Sequence, residues 1–223
     1  MQLEKEGYLV LPNWINASQL ATLKQVFTTN KASISAARNG LNSLLVNDIA
    51  LRKYISDSIM AVLAPSLEDS FIDYIPFFGY YMVKPSQGGE ENFHRDYSIT
   101  NEDEFDYLTL WLPLEDIDVK SGCLNLLPKS HQFFHYILPV DVAWPYSALS
   151  DTLQPNALDV PLQAADLLLF SSKLDTAYPL IKSPSSKTVF IARFSSSRIG
   201  RCIGFKSTKG TAIQKEFLFC KNS

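Results

Sequence analysis

The first 65 residues have apolar side chains at the three- and four-residue intervals of amphipathic helices. Asn16 and Gln19 have the spacing of a capping box, in which each side chain bonds the backbone N–H of the other residue, so they predict a helix start. A second aliphatic stripe follows Asp48 and predicts a second helix. We expect this helix to end before Pro65, because proline has no N–H to donate.

After Pro65 the pattern changes to short runs of aromatic and β-branched residues separated by turn formers. In Tyr107–Leu112 the leucines alternate with Tyr107, Thr109 and Trp111, so Thr109 is expected on the sheet face opposite the leucines. Runs at such intervals are typical of a sandwich, a jelly roll or a barrel. The predicted strands are 77–83, 107–112, 123–127, 136–138, 167–170, 188–194, 202–205 and 216–219.

Residues 141–161 contain three prolines and no clear periodicity. Proline disfavours a long helix or a central strand, so this segment is predicted to be an irregular loop near the mouth of the barrel. No shift in composition marks a domain boundary. We therefore expect one domain over residues 1–223, in which the helical part, 1–65, packs on the sheet of a β core, 66–223.

The composition narrows the class of protein. With 223 residues, 46% of them hydrophobic, the chain is long enough for a sizeable core and is neither disordered nor a coiled coil. A net charge of −3 argues against nucleic acid as the main partner. The chain has no apolar leader and no long apolar span, and its three cysteines are widely separated. We expect a cytoplasmic protein that acts on a small molecule, without a membrane partner.

Candidate chemistry centres on one tripeptide, His94-Arg95-Asp96. Residues i and i+2 of a strand face the same side, so His94 and Asp96 are predicted to project together into one end of the barrel. An imidazole and a carboxylate are two of the three ligands in the facial triad of non-haem iron oxygenases. The other histidines, His131 and His135, are interpreted as structural residues.

Several further segments carry motifs that can be compared with known families. They are Gly7–Pro12, Val83-Lys84-Pro85 with Phe93–Asp96, Leu110–Asp118 with Ser121–His131, Ala165–Phe170 and Lys187–Phe194. Together they resemble the phytanoyl-CoA dioxygenase-like branch of the iron(II)/2-oxoglutarate oxygenases. The resemblance implies a double-stranded β-helix, which is a cupin-like jelly roll, preceded by helices. It also implies Fe(II) bound through His94 and Asp96, with 2-oxoglutarate as co-substrate.

The chain departs from this family pattern at two positions. Asp175 stands where the resemblance places a distal histidine ligand, and Lys187 stands where it places the arginine that binds 2-oxoglutarate. Iron held by His94, Asp96 and Asp175 would have a formally neutral ligand set, which weakens the attraction for a dianionic co-substrate. Lysine also lacks the planar fork that grips a carboxylate. The alternatives are that Asp175 is a solvated loop carboxylate and that Lys187 is an ordinary surface lysine.

Two more side chains complete the predicted co-substrate site. Arg193 shares a strand face with Lys187 and could contact an acidic group inside the barrel, either from a ligand or as a buried ion pair. Thr109, on the inward face, could donate a hydrogen bond to the co-substrate or the substrate.

Three functions remain open at this point. The first is an iron(II)/2-oxoglutarate-type dioxygenase that oxidises a small, mostly apolar molecule. The second is a pseudo-oxygenase, in which a degenerate site serves as a binding module or performs non-oxidative chemistry. The third is a metal-dependent enzyme that needs no 2-oxoglutarate.

Overall fold

The structure is a computed structural model. It describes residues 2–36, 42–70, 74–84, 90–98, 102, 107–133, 138, 144–179, 181–182, 187–196, 203–208 and 211–216. In the described part, no helix is both long and apolar enough to cross a membrane.

The predicted capping box starts the first long helix. After the short helix α1 (Gln2–Glu6), helix α2 spans Ala17–Ala36. The Asn16 amide N–H donates to Gln19 Oε1 at 3.0 Å, and the Gln19 N–H donates to Asn16 Oδ1 at 2.9 Å. Two N–H groups at the helix start are thereby satisfied reciprocally, as the spacing of these two side chains indicated.

Helix α3 spans Ile49–Ser70 and is longer than predicted. Its start is capped by Asp48, whose Oδ1 accepts from the N–H groups of Ala50 and Leu51. The expected end before Pro65 is wrong, because Pro65 lies inside the helix. Leu63 and Leu67 are both buried in the core on either side of it. Their packing keeps the helix continuous despite the hydrogen bond that proline removes.

Two antiparallel sheets form the β core. The larger sheet comprises β1 (Tyr8–Leu11), β2 (Tyr74–Lys84), β4 (Tyr107–Pro113), β7 (Leu167–Ser171) and β9 (Lys187–Ser196). The smaller sheet comprises β3 (Glu91–His94), β5 (Leu124–Leu126), β6 (Leu158–Val160) and β8 (Thr176–Tyr178). The strand order is β1-β7-β4-β9-β2 in the larger sheet and β3-β8-β5-β6 in the smaller sheet. Strands β10 (Ile203–Thr208) and β11 (Thr211–Glu216) pair as a separate hairpin.

The larger sheet separates two hydrophobic cores. On one face Leu108, Leu110 and Leu112 pack with α3 residues such as Ile59, as the helical pattern predicted. On the other face Trp111 packs with residues of the smaller sheet, so this second core fills the space between the sheets. The architecture is the predicted double-stranded β-helix with N-terminal helices. The inward-facing side chains of β9 and β4, including those of Arg193 and Thr109, point toward the inter-sheet space.

Some predicted boundaries need correction. The first 65 residues also contain strand β1, which pairs with β7 through Leu9 and Leu169. Residues 144–161 form mostly short turns, as expected, but they end in strand β6, which pairs with β5. Edge pairing to an existing strand stabilises this segment in a way its own composition does not indicate. Most of the predicted strands 136–138 and 216–219 lies outside the described residues.

Candidate functional site

His94 and Asp96 lie at the end of β3, on the accessible side of the chain. Strand β3 ends at His94, so Asp96 follows the strand and is not part of it. The neighbours Phe93 and Arg95 are buried, with 0% and 2% exposure. The side chains of His94 and Asp96 retain 24% and 17% exposure. The alternation supports the prediction that these two side chains share one side, where a ligand can reach them.

The imidazole of His94 has one nitrogen engaged with the backbone. Its Nδ1 lies 2.9 Å from the carbonyl oxygen of Asn92. That carbonyl accepts a hydrogen bond when Nδ1 is protonated, which leaves the Nε2 lone pair for a ligand. The ring centroid of Tyr178 lies 6.1 Å from that of His94 and forms one wall of the site.

Asp175 lies next to His94 through strand pairing. The Cα register of β3 and β8 places His94 opposite Thr176, the residue after Asp175. Asp175 is 6% exposed, and its Oδ1 has no hydrogen-bond partner among the described residues. Burial raises the pKa of Asp175 to about 6, against smaller opposing effects of Arg95, His94 and the Trp144 indole. Asp175 is therefore a buried carboxylate beside His94, which is inconsistent with a solvated loop residue.

Asp96 is engaged by a guanidinium. Arg193 donates from Nη2 to Asp96 Oδ1 at 3.0 Å and from Nη1 to Oδ2, which makes a bidentate pair. Thr109 donates its hydroxyl to Asp96 Oδ2 at 3.0 Å. Burial alone would raise the pKa of Asp96. The charge and hydrogen bonds of Arg193, with His94 and Thr109, outweigh burial and hold this pKa below its usual value. Arg193 thus contacts an acidic group inside the barrel, as predicted, and that group is Asp96.

A second buried ion pair lies behind the His94–Asp96 segment. Arg95 Nη2 donates to Glu102 Oε2 at 3.3 Å, and both side chains are fully buried. Glu102 Oε1 accepts from Ser172 at 3.2 Å. The Arg95 guanidinium also lies 5.3 Å from the ring of Trp144. This network ties the segment after β3 to the loop between β7 and β8, which contains Asp175, and so stiffens the floor of the site.

Lys84 is a functional candidate that our sequence analysis did not identify. It is 4% exposed, and its Nζ lies 3.9 Å from the ring centroid of Tyr178. The ammonium also donates to the carbonyl oxygen of Gly122. Burial lowers the pKa of Lys84 to about 7, against smaller opposing effects of Cys123 and Glu91. One signal was available: Lys84 continues the period-two face of Phe78, Tyr80 and Met82, which is otherwise apolar or aromatic.

Lys187 lies at the other end of β9 from Arg193. The six-residue separation corresponds to about 20 Å of strand. Its Nζ lies 3.5 Å from Glu115 Oε2, and its side chain lines a surface cavity together with Asp116, Asp118 and Lys182. Lys187 is also the register partner of Lys84 across β2 and β9. Its predicted role in binding a co-substrate therefore stays a prediction, with Glu115 as its partner in this structure.

The donor set has the chemistry of a divalent metal site, but the geometry is not preassembled. His94 and Asp175 offer an imidazole and an orphaned buried carboxylate oxygen from paired strands. Within the described ranges, no group of three or more His, Cys, Asp or Glu side chains is arranged to hold a metal ion. The carboxylate of Asp96, the third predicted ligand, is bound to Arg193.

The two remaining histidines have different outcomes. His131 Nε2 lies 3.0 Å from the carbonyl oxygen of Glu4, so this ring ties α1 to the turn after β5. The structural role predicted for His131 is thereby confirmed. His135 lies outside the described residues.

Comparison with family profiles shows the family to which the chain belongs. The phytanoyl-CoA dioxygenase (PhyH) family profile matches residues 3–174. The chain belongs to the phytanoyl-CoA dioxygenase family. The match begins in α1 and ends immediately before Asp175, so it includes His94 and Asp96. No curated protein matches the chain at a significant level.

Several solved structures have a similar fold. One is HygX from Streptomyces hygroscopicus, solved with nickel and 2-oxoglutarate bound, with a TM-score of 0.63 and 13% sequence identity. The alignment covers 86% of this chain and 83% of the HygX chain. The epimerase SnoN from nogalamycin biosynthesis, in complex with Fe³⁺, α-ketoglutarate and nogalamycin RO, has a TM-score of 0.61 at 16% identity, covering 91% and 83%. EvdO2 from Micromonospora carbonacea var. aurantiaca, complexed with 2-oxoglutarate, has a TM-score of 0.59 at 16% identity, covering 88% and 89%. At these identities the likeness establishes the fold alone.

Proposed function

We propose that this member of the phytanoyl-CoA dioxygenase family is a non-haem iron oxidoreductase that oxidises a small, mostly apolar molecule with dioxygen and 2-oxoglutarate. The family assignment and the 2-oxoglutarate-bound neighbours support this class. The carrying observation within this chain is the buried carboxylate of Asp175 beside His94, which has the Trp144 indole as a hydrogen-bonding neighbour but whose Oδ1 has no partner within hydrogen-bond distance among the described residues. A buried carboxylate that is not fully hydrogen-bonded is costly, and a cation bound there reduces that cost.

The metal ligands in this proposal are His94, Asp175 and Asp96. His94 offers Nε2, Asp175 offers Oδ1, and Asp96 contributes after it leaves Arg193. A ferrous ion held by these groups supplies the redox chemistry that activates dioxygen. The buried ion pair of Arg95 with Glu102 fixes the backbone between His94 and Asp96, so these two ligands are kept in place.

Lys84 is the proposed partner for the far carboxylate of a dicarboxylate co-substrate. The support is its burial and its position against Tyr178, which also borders His94. Lys187 is the second candidate, but its charge is partly neutralised by Glu115 at 3.5 Å. Lys84 forms no ion pair with any of the described residues, and a buried ammonium of this kind gains more from an incoming anion than the paired, partly buried Lys187.

The walls of the site favour an apolar substrate. Three aromatic residues, Tyr80, Tyr107 and Tyr178, surround the polar groups, and Tyr107 lies 6.0 Å from the Arg193 guanidinium. At the rim, beside Asp96, the side chain of Tyr97 is 47% exposed. Aromatic faces bury apolar ligands effectively and fix their orientation, which suits a small hydrophobic molecule.

A second candidate function is a pseudo-oxygenase that binds a small ligand without oxidising it. The observation that favours it is the closed Asp96–Arg193 pair, together with the absence of a ready three-ligand cluster in the described residues. In this function Arg193 permanently supplies the positive charge that a metal would otherwise provide.

Metal content and co-substrate turnover test the proposal. Protein purified without added iron is analysed for bound metal, then loaded anaerobically with Fe(II) and assayed for conversion of 2-oxoglutarate to succinate. We expect iron binding and slow uncoupled succinate formation, both lost in His94→Gln. His131→Gln is the matched control, because His131 bonds Glu4 and lies outside the proposed ligand set.

The variant Asp175→His sharpens the same experiment. An imidazole at this place is a softer donor that suits Fe(II) better, so iron affinity is expected to rise. One less negative charge in the ligand set also strengthens the attraction for a dianionic co-substrate, so turnover is expected to rise. Iron binding without succinate formation would favour a metal enzyme that needs no 2-oxoglutarate. No iron binding by the wild-type chain or by Asp175→His would replace the oxygenase with the binding module.

A further inference from the structure

The guanidinium of Arg193 lies against the Asp96 carboxylate, where the proposed metal ion would bind. Its two terminal nitrogens contact the two carboxylate oxygens, and Thr109 contacts Oδ2 as well. Nη2 also donates to the Tyr80 hydroxyl at 3.2 Å, which holds the guanidinium in this orientation. All these partners come from the inner faces of β2, β4 and the segment after β3, so the arrangement is built by the barrel.

A metal ion and Arg193 compete for the same carboxylate. A bidentate guanidinium satisfies both oxygens of Asp96 and leaves little room for a metal in the carboxylate plane. A divalent ion next to the guanidinium would also face a like charge at short range. Occupation of Asp96 by a metal therefore requires Arg193 to withdraw.

We propose that Arg193 is a latch that closes the metal site at Asp96, and that a carboxylate of an incoming ligand opens it. The proposal rests on the metal site proposed above. A buried guanidinium that leaves Asp96 needs another anion, because a buried unpaired charge is strongly unfavourable. Among the described residues, the side chains in contact with Arg193 other than Asp96 are Thr109 and Tyr80, through their hydroxyls, and Tyr107, through its ring. In this proposal the ligand brings the new anion, so metal affinity and carboxylate affinity are linked.

The first test measures the affinity of the full chain for Mn²⁺ alone by isothermal titration calorimetry. Arg193→Met is expected to bind Mn²⁺ about ten- to a hundredfold more tightly than the wild type, because Asp96 becomes free. Lys53→Met is the matched control, since it also removes one positive charge, at an exposed position of α3, and leaves Asp96, Thr109 and Arg193 unchanged. In Asp96→Asn/Arg193→Met the gain should disappear.

The second test measures the same affinity with saturating succinate, a dicarboxylate without the 2-oxo group that chelates metals. Succinate is expected to increase Mn²⁺ affinity in the wild type and to have no effect on it in Arg193→Met. Arg193→Lys keeps the charge without the fork and should give an intermediate succinate effect. Thermal melting with and without Mn²⁺ identifies any variant that fails to fold.

The outcomes separate the latch from the proposed function. Unchanged or weaker Mn²⁺ binding in folded Arg193→Met overturns the latch, and so does a succinate effect of equal size in both proteins. If the wild type binds iron and turns over 2-oxoglutarate while Arg193→Met shows no gain, the oxygenase stands and the latch fails. If no variant binds a divalent cation, the proposed function fails with it.

Discussion

The ammonium of Lys84 lies 3.9 Å above the ring centroid of Tyr178, on the side of the barrel where Tyr178 also borders His94. The contact joins the last residue of β2 to the last residue of β8, so it spans the two sheets. Gly122, with φ of 81°, directs its carbonyl oxygen to the same ammonium. A Cβ at Gly122 would come within 2.6 Å of Ile181 and 3.4 Å of Lys84 Nζ, so glycine is required beside this lysine.

Replacing Lys84 with methionine should stabilise the fold near pH 6 and weaken carboxylate binding. Burial lowers the pKa of Lys84 to about 7, so keeping this ammonium charged inside the folded protein reduces the free energy of unfolding. The unfolded chain binds more protons between pH 7 and about 10, so wild-type stability rises with pH across that window. We expect Lys84→Met to raise the free energy of unfolding by about 2–4 kcal/mol at pH 6, and by less at pH 9.

Urea denaturation at the two pH values, with succinate binding followed by calorimetry, checks this expectation. The control is Lys53→Met, because Lys53 is exposed and pairs with Asp57 on the surface of α3. That variant should change stability by less than about 0.5 kcal/mol at either pH. A loss of stability in Lys84→Met at pH 6, with succinate binding unchanged, would contradict both the burial penalty and the proposed role.

Replacing Asp175 with asparagine should also stabilise the metal-free protein, by an amount that grows between about pH 4 and pH 6 and is largest above pH 6. Burial raises the pKa of Asp175 to about 6. Between about pH 4 and pH 6 the folded protein holds more protons than the unfolded chain, so stability falls as pH rises and stays lower above pH 6. We expect Asp175→Asn to gain about 1–3 kcal/mol at pH 7.5 and little at pH 4, measured by denaturant unfolding. Asp151→Asn, on an exposed residue of α4 (Ser150–Leu153), is the control, and equal gains at both pH values would exclude this cause.

Replacing Asp96 with asparagine should destabilise the metal-free protein. The change leaves the buried guanidinium of Arg193 without its anion, which costs about 3–5 kcal/mol. Arg193→Met in the same chain removes the stranded charge, so the double variant is expected to recover most of the loss. A double-mutant cycle by chemical denaturation measures the coupling between the two residues. Additive effects of the two substitutions would show that the ion pair contributes nothing to stability.

Replacing Glu102 with glutamine tests the buried network behind the site. Arg95 and Glu102 are both fully buried, so breaking their ion pair should cost about 3–5 kcal/mol of unfolding free energy. The matched control is Glu115→Gln, which breaks the pair with Lys187, where the carboxylate side chain is 47% exposed. That change should cost no more than about 1 kcal/mol. Equal losses in the two variants would mean that burial does not set the strength of the Arg95–Glu102 pair.

Replacing Pro65 with alanine should stabilise α3. Pro65 is exposed inside the helix, so the change restores a backbone N–H without opening a cavity in the core. We expect a gain of about 1–3 kcal/mol in unfolding free energy. Ala61→Gly, at another exposed position of the same helix, should lower the unfolding free energy by about 1 kcal/mol and serves as the reference substitution. A loss of stability in Pro65→Ala would show that the proline is accommodated without cost.

The sequence by itself determined the features that depend on neighbouring residues. The capping pair Asn16 and Gln19 follows from the local spacing of a helix start, and the inward face of Thr109 follows from strand periodicity. The family resemblance along the chain likewise predicted the double-stranded β-helix that the structure has. The capping pair and the face of Thr109 are local features, because backbone geometry repeats over two to four residues.

Only the tertiary structure decided which distant groups meet. Asp175 reaches His94 because β3 pairs with β8, and Arg193 closes on Asp96, 97 residues away along the chain. The continuation of α3 through Pro65 depends on the packing of Leu67 in the core. The burial of Lys84, and with it a pKa of about 7, arises because the second sheet covers the end of β2. Such relationships depend on solvent exclusion and on register between strands, and neither is encoded in the spacing of neighbouring residues.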